Sequence, residues 1–70
     1  MSNWETIEVV SATRVKMRAR IKILDYQAMY DKLGHKGEEA WMYCDGSHRW
    51  VECGDGTTLK LMEEEYEFVD

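Results

Sequence analysis

The dipeptide Asp45-Gly46 separates two runs of strand-forming residues, and this arrangement constrains the fold more than any other feature of the chain. The runs span residues 38–44 and 47–53. Because Asp-Gly accommodates the positive φ angles of a two-residue type I′ turn, we predict a tight β-hairpin closed at this dipeptide. The cross-strand pairs predicted from this turn are Tyr43 with His48, Met42 with Arg49, Trp41 with Trp50, and Ala40 with Val51.

Side chains alternate between the two sides of a strand, so the predicted hairpin has an aliphatic face and an aromatic face. The aliphatic face consists of Ala40, Met42, Val51 and Cys53, and the aromatic face consists of Trp41, Tyr43, His48 and Trp50. If the aliphatic face lies in the core, the aromatic residues either lie beneath the segment 25–33 or form a patch for a partner or a second copy.

A second feature is the alternation of apolar and basic residues over residues 15–24, VKMRARIKIL. A period of two predicts a long strand with one packed face and one solvated face. A helix would instead distribute the basic residues around its circumference. The basic row on the solvated face consists of Lys16, Arg18, Arg20 and Lys22.

Glycines and changes of period divide the rest of the chain into short elements. We predict strands at 4–10, 57–62 and 66–69, turns at 34–37 and 54–56, and a 3₁₀-like bend at 63–65. Over residues 25–33, Asp25 as the N-cap and Gly34 after the last turn predict a short helix. An irregular loop is the alternative, because two helical turns are only marginally stable by themselves.

Residues 32–61 and 63–69, KLGHKGEEAWMYCDGSHRWVECGDGTTLKL and EEEYEFV, resemble the KOW and related SH3-like modules. In such modules glycines precede a strand and an acidic bend precedes the last strand. The likeness covers about two-thirds of the chain and predicts a mainly β fold, a small antiparallel SH3-like barrel with an extra N-terminal strand and at most one short helix. It implies a contact with nucleic acid, RNA polymerase or the ribosome, although fold alone does not fix function.

The length of 70 residues predicts a single domain, 1–70, because a chain this short cannot support two hydrophobic cores. The polar Ser2 and Asn3 do not begin a signal peptide, and no apolar run approaches the roughly 20 residues that cross a bilayer. We therefore predict a cytoplasmic protein without a membrane segment.

The two cysteines and two histidines are the residues that a metal site would need. In the predicted hairpin Cys44 and Cys53 lie about 20 Å apart, which is too far for a disulfide. Together with His35 and His48 they form a nominal zinc set, but the sequence lacks the C-x-x-C spacing of zinc ribbons. We expect neither a metal site nor a cofactor.

The net charge of −5 is distributed unevenly. Residues 1–24 carry five basic and two acidic residues, and residues 25–70 carry four basic and twelve acidic residues. The basic row could follow the phosphates of a nucleic acid. We favour the alternative that acidic residues lie across from the row as ordinary cross-strand pairs, either Glu5 and Glu8 on the preceding strand or the tail from Glu63 to Glu67.

The acidic residues concentrate near the end of the chain, at Glu63, Glu64, Glu65, Glu67 and Asp70, with Glu38, Glu39, Glu52 and Asp55 at hairpin ends and turns. They form either a solvated face or a surface that imitates a row of phosphates. In the second case they would engage the basic groove of a DNA- or RNA-binding protein. The size and charge are similar to those of small acidic DNA-mimic inhibitors, including those that phages direct against host proteins.

No catalytic signature is present, and neither histidine nor cysteine has an orienting partner indicated by the sequence, so we predict that the protein is not an enzyme. The first hypothesis is a binding protein that occupies a basic surface of a partner protein. The residues predicted to bind that partner are Glu63, Glu64, Glu65, Glu67, Asp70, Trp41, Tyr43 and Trp50.

Two further hypotheses remain open. One is a KOW-like module that binds nucleic acid or the transcription machinery through Lys16, Arg18, Arg20 and Lys22. The other is a homodimer formed through the N-terminal strand, whose edge needs covering.

Overall fold

The computed structural model describes residues 3–24 and 35–69, and six strands within these ranges form one antiparallel sheet. The strands are β1 (Trp4–Ser11), β2 (Arg14–Ile23), β3 (Glu39–Asp45), β4 (His48–Glu52), β5 (Thr58–Leu59) and β6 (Tyr66–Phe68), with a 3₁₀ turn at Glu63–Glu65. The predicted mainly β, antiparallel fold with an added N-terminal strand is confirmed, although the sheet is not closed into a complete barrel. The helix predicted over 25–33 lies outside the described residues.

The longest strand, β2, organises the sheet because it pairs with three others. Along one edge it pairs with β3 from Lys16 to Lys22. Along the other edge, β1 pairs with the first part of β2, and β6 pairs with residues 21–23 of β2. The remaining order, β3-β4-β5, is a meander of neighbouring strands. Ten residues give β2 enough length to hold β1 and β6 one after the other.

The core lies on the apolar side of this sheet, as the alternation in β2 predicts. The buried cluster consists of Ile21, Ile23, Ala40, Met42, Val51, Cys53, Leu59 and Tyr66, with Trp4 and Leu61 packed against it. Ile21, Ile23 and Val51 have no measurable exposure. Burying such a side chain stabilises the fold by about 1.5–3 kcal/mol. No helix within the described residues has the length and apolar character needed to cross a membrane.

The central hairpin has the predicted faces but a different turn. Ala40, Met42, Val51 and Cys53 are all buried, which confirms the aliphatic face. The predicted Asp45-Gly46 turn is wrong, because Asp45 pairs with His48 and the loop is Gly46-Ser47. Each of the four predicted cross-strand pairs is therefore wrong by two positions. The two predicted faces are nevertheless correct, because a register shift of two residues leaves every side chain on the same side of the sheet.

Local chemistry explains why the turn lies one residue later than predicted. Gly46 has a φ of +64°, and no residue other than glycine has a positive φ among those described. A positive φ at the first loop residue alone is typical of a type II′ turn, whereas type I′ would require it at both. Asp45 instead extends the strand, where its carboxylate accepts hydrogen bonds from Nε and Nη2 of Arg14 at 2.8 and 3.0 Å.

Candidate functional site

The side of the sheet opposite the core, which we call the outer face, carries charged and aromatic residues in rows across β2, β3 and β4. From one end to the other the rows are Lys22 with Glu39; Arg20 with Trp41 and Glu52; Arg18 with Tyr43 and Trp50; and Lys16 with Asp45 and His48. The cross-strand neighbours on such a face lie close enough for direct contact. The outer face therefore brings the predicted basic row and the predicted aromatic residues onto one surface.

The aromatic residues of the outer face are held by their neighbours. The guanidinium groups of Arg18 and Arg20 lie 4.1 and 5.2 Å from the ring centroid of Trp41. Both distances fall within the range of cation–π attraction. The rings of Tyr43 and Trp50 stack with centroids 5.7 Å apart. All three aromatic residues are half-buried.

The corrected register explains this stack. The predicted pairing placed Trp41 opposite Trp50 and Tyr43 opposite His48, whereas Tyr43 lies opposite Trp50. The indole Nε1 of Trp50 donates to Glu52 Oε2 at 2.9 Å, which orients the ring. Because ring contacts and a hydrogen bond restrain the side chains, they would lose little freedom on binding a partner.

Two of the four cations of the basic row, Lys16 and Arg18, form ion pairs within the fold. Lys16 lies 3.7 Å from Glu8, and Arg18 forms a close hydrogen-bonded ion pair with Glu5. The predicted cross-strand pairing of Glu5 and Glu8 with the basic row is thus confirmed. Arg14 adds a third pair, and its guanidinium lowers the pKa of Asp45 below the ordinary range. The outer face consequently mixes positive and negative groups instead of presenting a line of cations.

The glutamates near the end of the chain differ, and we call Glu63, Glu64 and Glu67 the acidic surface. All three are exposed, and none forms an ion pair within the described part of the chain. Glu67 on β6 lies opposite Lys22 on β2, and the neighbour of Lys22 on the other edge is Glu39 of β3. Lys22 is therefore flanked by two carboxylates, at the end of the outer face next to Trp41. Asp70 lies outside the described residues.

Glu65 has a structural role that separates it from this surface. Its side chain is buried, and Oε1 accepts a hydrogen bond from the backbone N–H of Met62 at 2.8 Å. Its backbone carbonyl accepts from Leu24 N at 2.9 Å. These bonds close the 3₁₀ turn and attach it to the end of β2, so we leave Glu65 out of the acidic surface.

Sequence reasoning missed a second cluster, which forms where two turns meet. His35 is 5% exposed, with Nδ1 2.8 Å from Glu38 Oε1 and Nε2 3.5 Å from Asp55 Oδ2. Glu38 Oε2 also accepts from the backbone N–H of Gly54 at 2.9 Å. The buried thiol of Cys53 completes the group. We call His35, Glu38, Cys53 and Asp55 the His35 cluster.

The titration behaviour of the His35 cluster follows from its contacts. The N–H of Gly54 and the ring of His35 lower the pKa of Glu38, and the N–H of Thr57 lowers that of Asp55. Burial, together with the two carboxylates, raises the pKa of Cys53 to about 11. A thiol that stays protonated at neutral pH is a poor nucleophile. The cluster consequently gives little support to a cysteine-based reaction.

The sequence offered weak signals for this cluster. Residues 34–37 and 54–56 were predicted as turns, and His35 with Glu38 has a spacing of three. Nothing local indicates that the two turns meet, because their contact depends on how β2, β3, β4 and β5 pair. The orienting partner of His35 therefore appears only in three dimensions.

Comparisons with known proteins add no relative: no protein-family model, curated protein or solved structure matches this chain. The resemblance to KOW and SH3-like modules stays a prediction. A function must be argued from the outer face, the acidic surface and the His35 cluster themselves.

Proposed function

We propose that this chain is a non-enzymatic binding protein that occupies a basic surface of another protein, of the kind that binds DNA or RNA. The observation that carries the proposal is the unequal pairing of charges. Lys16 and Arg18 of the basic row are neutralised by glutamates of β1. The acidic surface has no such partners among the described residues, so the negative excess of the chain is available to a partner.

Long-range attraction would bring the two proteins together. A net charge of −5 on 70 residues repels nucleic acids and attracts basic proteins. Steering of this kind mainly raises the association rate and weakens as salt is added. Exposed carboxylates at Glu63, Glu64 and Glu67 would take the places that phosphates occupy on the partner's surface. By occupying a nucleic-acid-binding surface, the protein would act as an inhibitor.

Aromatic residues would then hold the complex. Trp41, Tyr43 and Trp50 are half-buried and restrained, and tryptophan and tyrosine are enriched among residues that dominate binding energies. Glu39 and Glu52 lie beside Trp41 on the outer face. Apolar anchors bordered by carboxylates are suited to a basic partner surface that carries apolar pockets.

The paired cations argue against the alternative of direct nucleic-acid binding through the basic row. A cation that is already paired within the fold neutralises a phosphate less fully. Fewer of the counterions condensed on the nucleic acid are then released, and the affinity gained is smaller. We expect no shift of labelled DNA or RNA at low salt. A shift that disappears in Arg18→Glu/Arg20→Glu would favour the KOW-like alternative instead.

The test compares two variants with the same net charge. Glu63→Gln/Glu64→Gln/Glu67→Gln neutralises the acidic surface, and Ser11→Lys/Thr13→Lys/Ser47→Lys adds the same three charge units at exposed neutral positions elsewhere. The immobilised wild type captures basic partners from a cell extract, and mass spectrometry identifies them. For a captured partner we expect the first variant to lose about tenfold or more in affinity and the second to lose much less.

Equal losses in both variants would show that only total charge matters and would contradict a defined acidic surface. If the first variant keeps the full affinity for the partner, the partner does not bind to the acidic surface. A third variant, Trp50→Ala, tests the anchors, and we expect it to raise the dissociation rate more than it lowers the association rate.

A further inference from the structure

The His35 cluster unites donor atoms of the three kinds that transition metals accept. A nitrogen of His35, a carboxylate oxygen of Glu38 and Sγ of Cys53 all lie within 4.8 Å of one another. Glu38 and Asp55 contact different ring nitrogens of His35, Nδ1 and Nε2, and one ion can bind only one of them, so Asp55 is not counted among the donors. We propose that His35, Glu38 and Cys53 form a binding site for a divalent transition-metal ion of the Zn²⁺ type, with a solvent molecule as the fourth ligand.

The donor separations lie near those of a tetrahedral site. With Zn–N and Zn–O bonds of about 2.0–2.2 Å and a Zn–S bond of about 2.3 Å, neighbouring donors in a tetrahedron lie about 3.3–3.7 Å apart. His35 Nδ1 and Glu38 Oε1, at 2.8 Å, are closer than this range, and the three donors of the group lie within 4.8 Å of one another. Side-chain rotations that move these atoms by up to about 1 Å would bring them to the required separations.

Backbone hydrogen bonds fix the two turns that present the donors. In the first turn, Gly37 N donates to Ile23 O at 2.6 Å and Glu38 N donates to His35 O at 3.0 Å. In the second, Cys53 N donates to Thr57 O at 2.8 Å and Gly56 N donates to Cys53 O at 3.0 Å. Both turns are thus tied to the sheet before any ion arrives, so the donors are preorganised.

The burial pattern gives an ion a way in. His35 and Cys53 are 5% and 6% exposed, whereas Asp55 is exposed and Glu38 is half-buried. The carboxylates therefore face the solvent and the softer donors lie behind them. An ion that binds Sγ of Cys53 would take the place of the thiol proton, which is released to solvent.

This inference departs from the sequence prediction that no metal site exists. The sequence lacks a C-x-x-C knuckle, and the nominal zinc set combined all four histidines and cysteines. In the structure, Cys44 and His48 belong to the far end of the hairpin, and carboxylates take their places beside His35 and Cys53. The competing interpretation is that the cluster only ties two turns together through hydrogen bonds.

The experiment titrates the purified, metal-stripped chain with Co²⁺ and then with Zn²⁺. We expect a cobalt–thiolate charge-transfer band and tetrahedral d–d bands at one equivalent, and we expect Zn²⁺ to displace them and to raise the unfolding temperature. Cys53→Ser should abolish the charge-transfer band, and His35→Asn should weaken binding by at least about tenfold.

Matched control variants distinguish the loss of a specific metal site from a general effect of removing a cysteine or a histidine. Cys44→Ser and His48→Asn change the same residue types at the other end of the hairpin and should bind like the wild type. Asp55→Asn changes an exposed side chain outside the core, so it tests whether the carboxylate beside Nε2 supports binding through His35 even if Cys53→Ser fails to fold.

Absence of cobalt bands in the folded wild type would overturn the proposal, as would equal losses in Cys44→Ser and Cys53→Ser. The measurement uses the isolated chain and no partner protein. Its failure would therefore leave the proposed binding function untouched, and the failure of partner capture would leave the metal site untouched.

Discussion

The two halves of β2 carry the same alternating pattern of residues but lie in different surroundings. In the first half Val15 and Met17 are only half-buried, and the strand pairs there with an exposed β1. In the second half Ala19, Ile21 and Ile23 are buried, and β6 pairs alongside. Alternation thus determines which side chains share a face, whereas elements distant in sequence determine which part of that face is covered.

The two halves of β2 also differ in the side-chain interactions that hold the adjacent strands. The first half is joined to β1 and to the tip of β3 by exposed ion pairs, including Arg14 with Asp45 and Lys16 with Glu8. Exposed pairs of this kind contribute little to stability and weaken in salt. The second half is held by apolar burial. We therefore expect stability to be concentrated in the covered half, and the following experiments test that contrast.

The largest effect should come from removing the same atoms within the covered half and from β1, the strand that pairs with the exposed half. Ile21→Ala removes a side chain with no exposure and should lower the free energy of unfolding by about 2–5 kcal/mol. Ile7→Ala, at a position that is 49% exposed in β1, should change it by about 0.5 kcal/mol or less. Urea unfolding of both variants in dilute solution measures the difference. Similar losses would show that β1 is as strongly packed as the covered half.

The exposed half should also govern self-association. Ile7, Val9 and Val10 are exposed in β1, whose pairing within the described chain is with β2 alone. A second copy could cover this edge by pairing strand against strand, although bulges interrupt it. We expect light scattering at high concentration to give a mass near twice 8.3 kDa, and Val9→Lys to return the monomer.

Thr13→Lys adds the same charge beyond the end of β1 and serves as the control for the dimer. If both variants dissociate it equally, charge and not edge pairing would be responsible. A mass of 8.3 kDa at every concentration would remove the homodimer hypothesis.

The smallest expected effect is on the loss of stability at low pH. The pKa of Glu38 lies below its ordinary value of 4.5 because the Gly54 N–H and His35 favour the carboxylate. The stabilisation is therefore present above pH 4.5 and is lost as the pH falls through the lower folded-state value. We expect Glu38→Gln to flatten the loss of stability below pH 4.5. Glu39→Gln controls for the removal of one carboxylate, and identical slopes in the two variants would contradict the assignment.

Sequence reasoning succeeded where a pattern is local and failed where it depends on pairing. The faces of the hairpin, the long β2 strand and the 3₁₀ turn at Glu63–Glu65 all follow from period and composition. The turn at Gly46 was misplaced by one residue because Asp-Gly also satisfies a type I′ turn. The contact of Asp45 with Arg14, 31 residues away, helps to favour the other choice.

The candidate sites show the same division. The pairing of Glu5 and Glu8 with the basic row could be anticipated because β1 and β2 are consecutive. The burial of Glu65 and the meeting of His35 with Asp55 could not, because each depends on contacts between elements that are separated in the chain.

The way β1 and β6 share one edge of β2 has a consequence for how such a chain can vary. β6 closes the buried part of the sheet without touching the register of β1, since the two occupy successive stretches of the same strand. Trp4 ties the start of β1 to the core and to Phe68, whereas the remaining residues of β1 are exposed. The part of β1 beyond Trp4 can therefore be shortened or exchanged while strands β2 to β6 keep their pairing, and it is the part of the sheet most open to redesign.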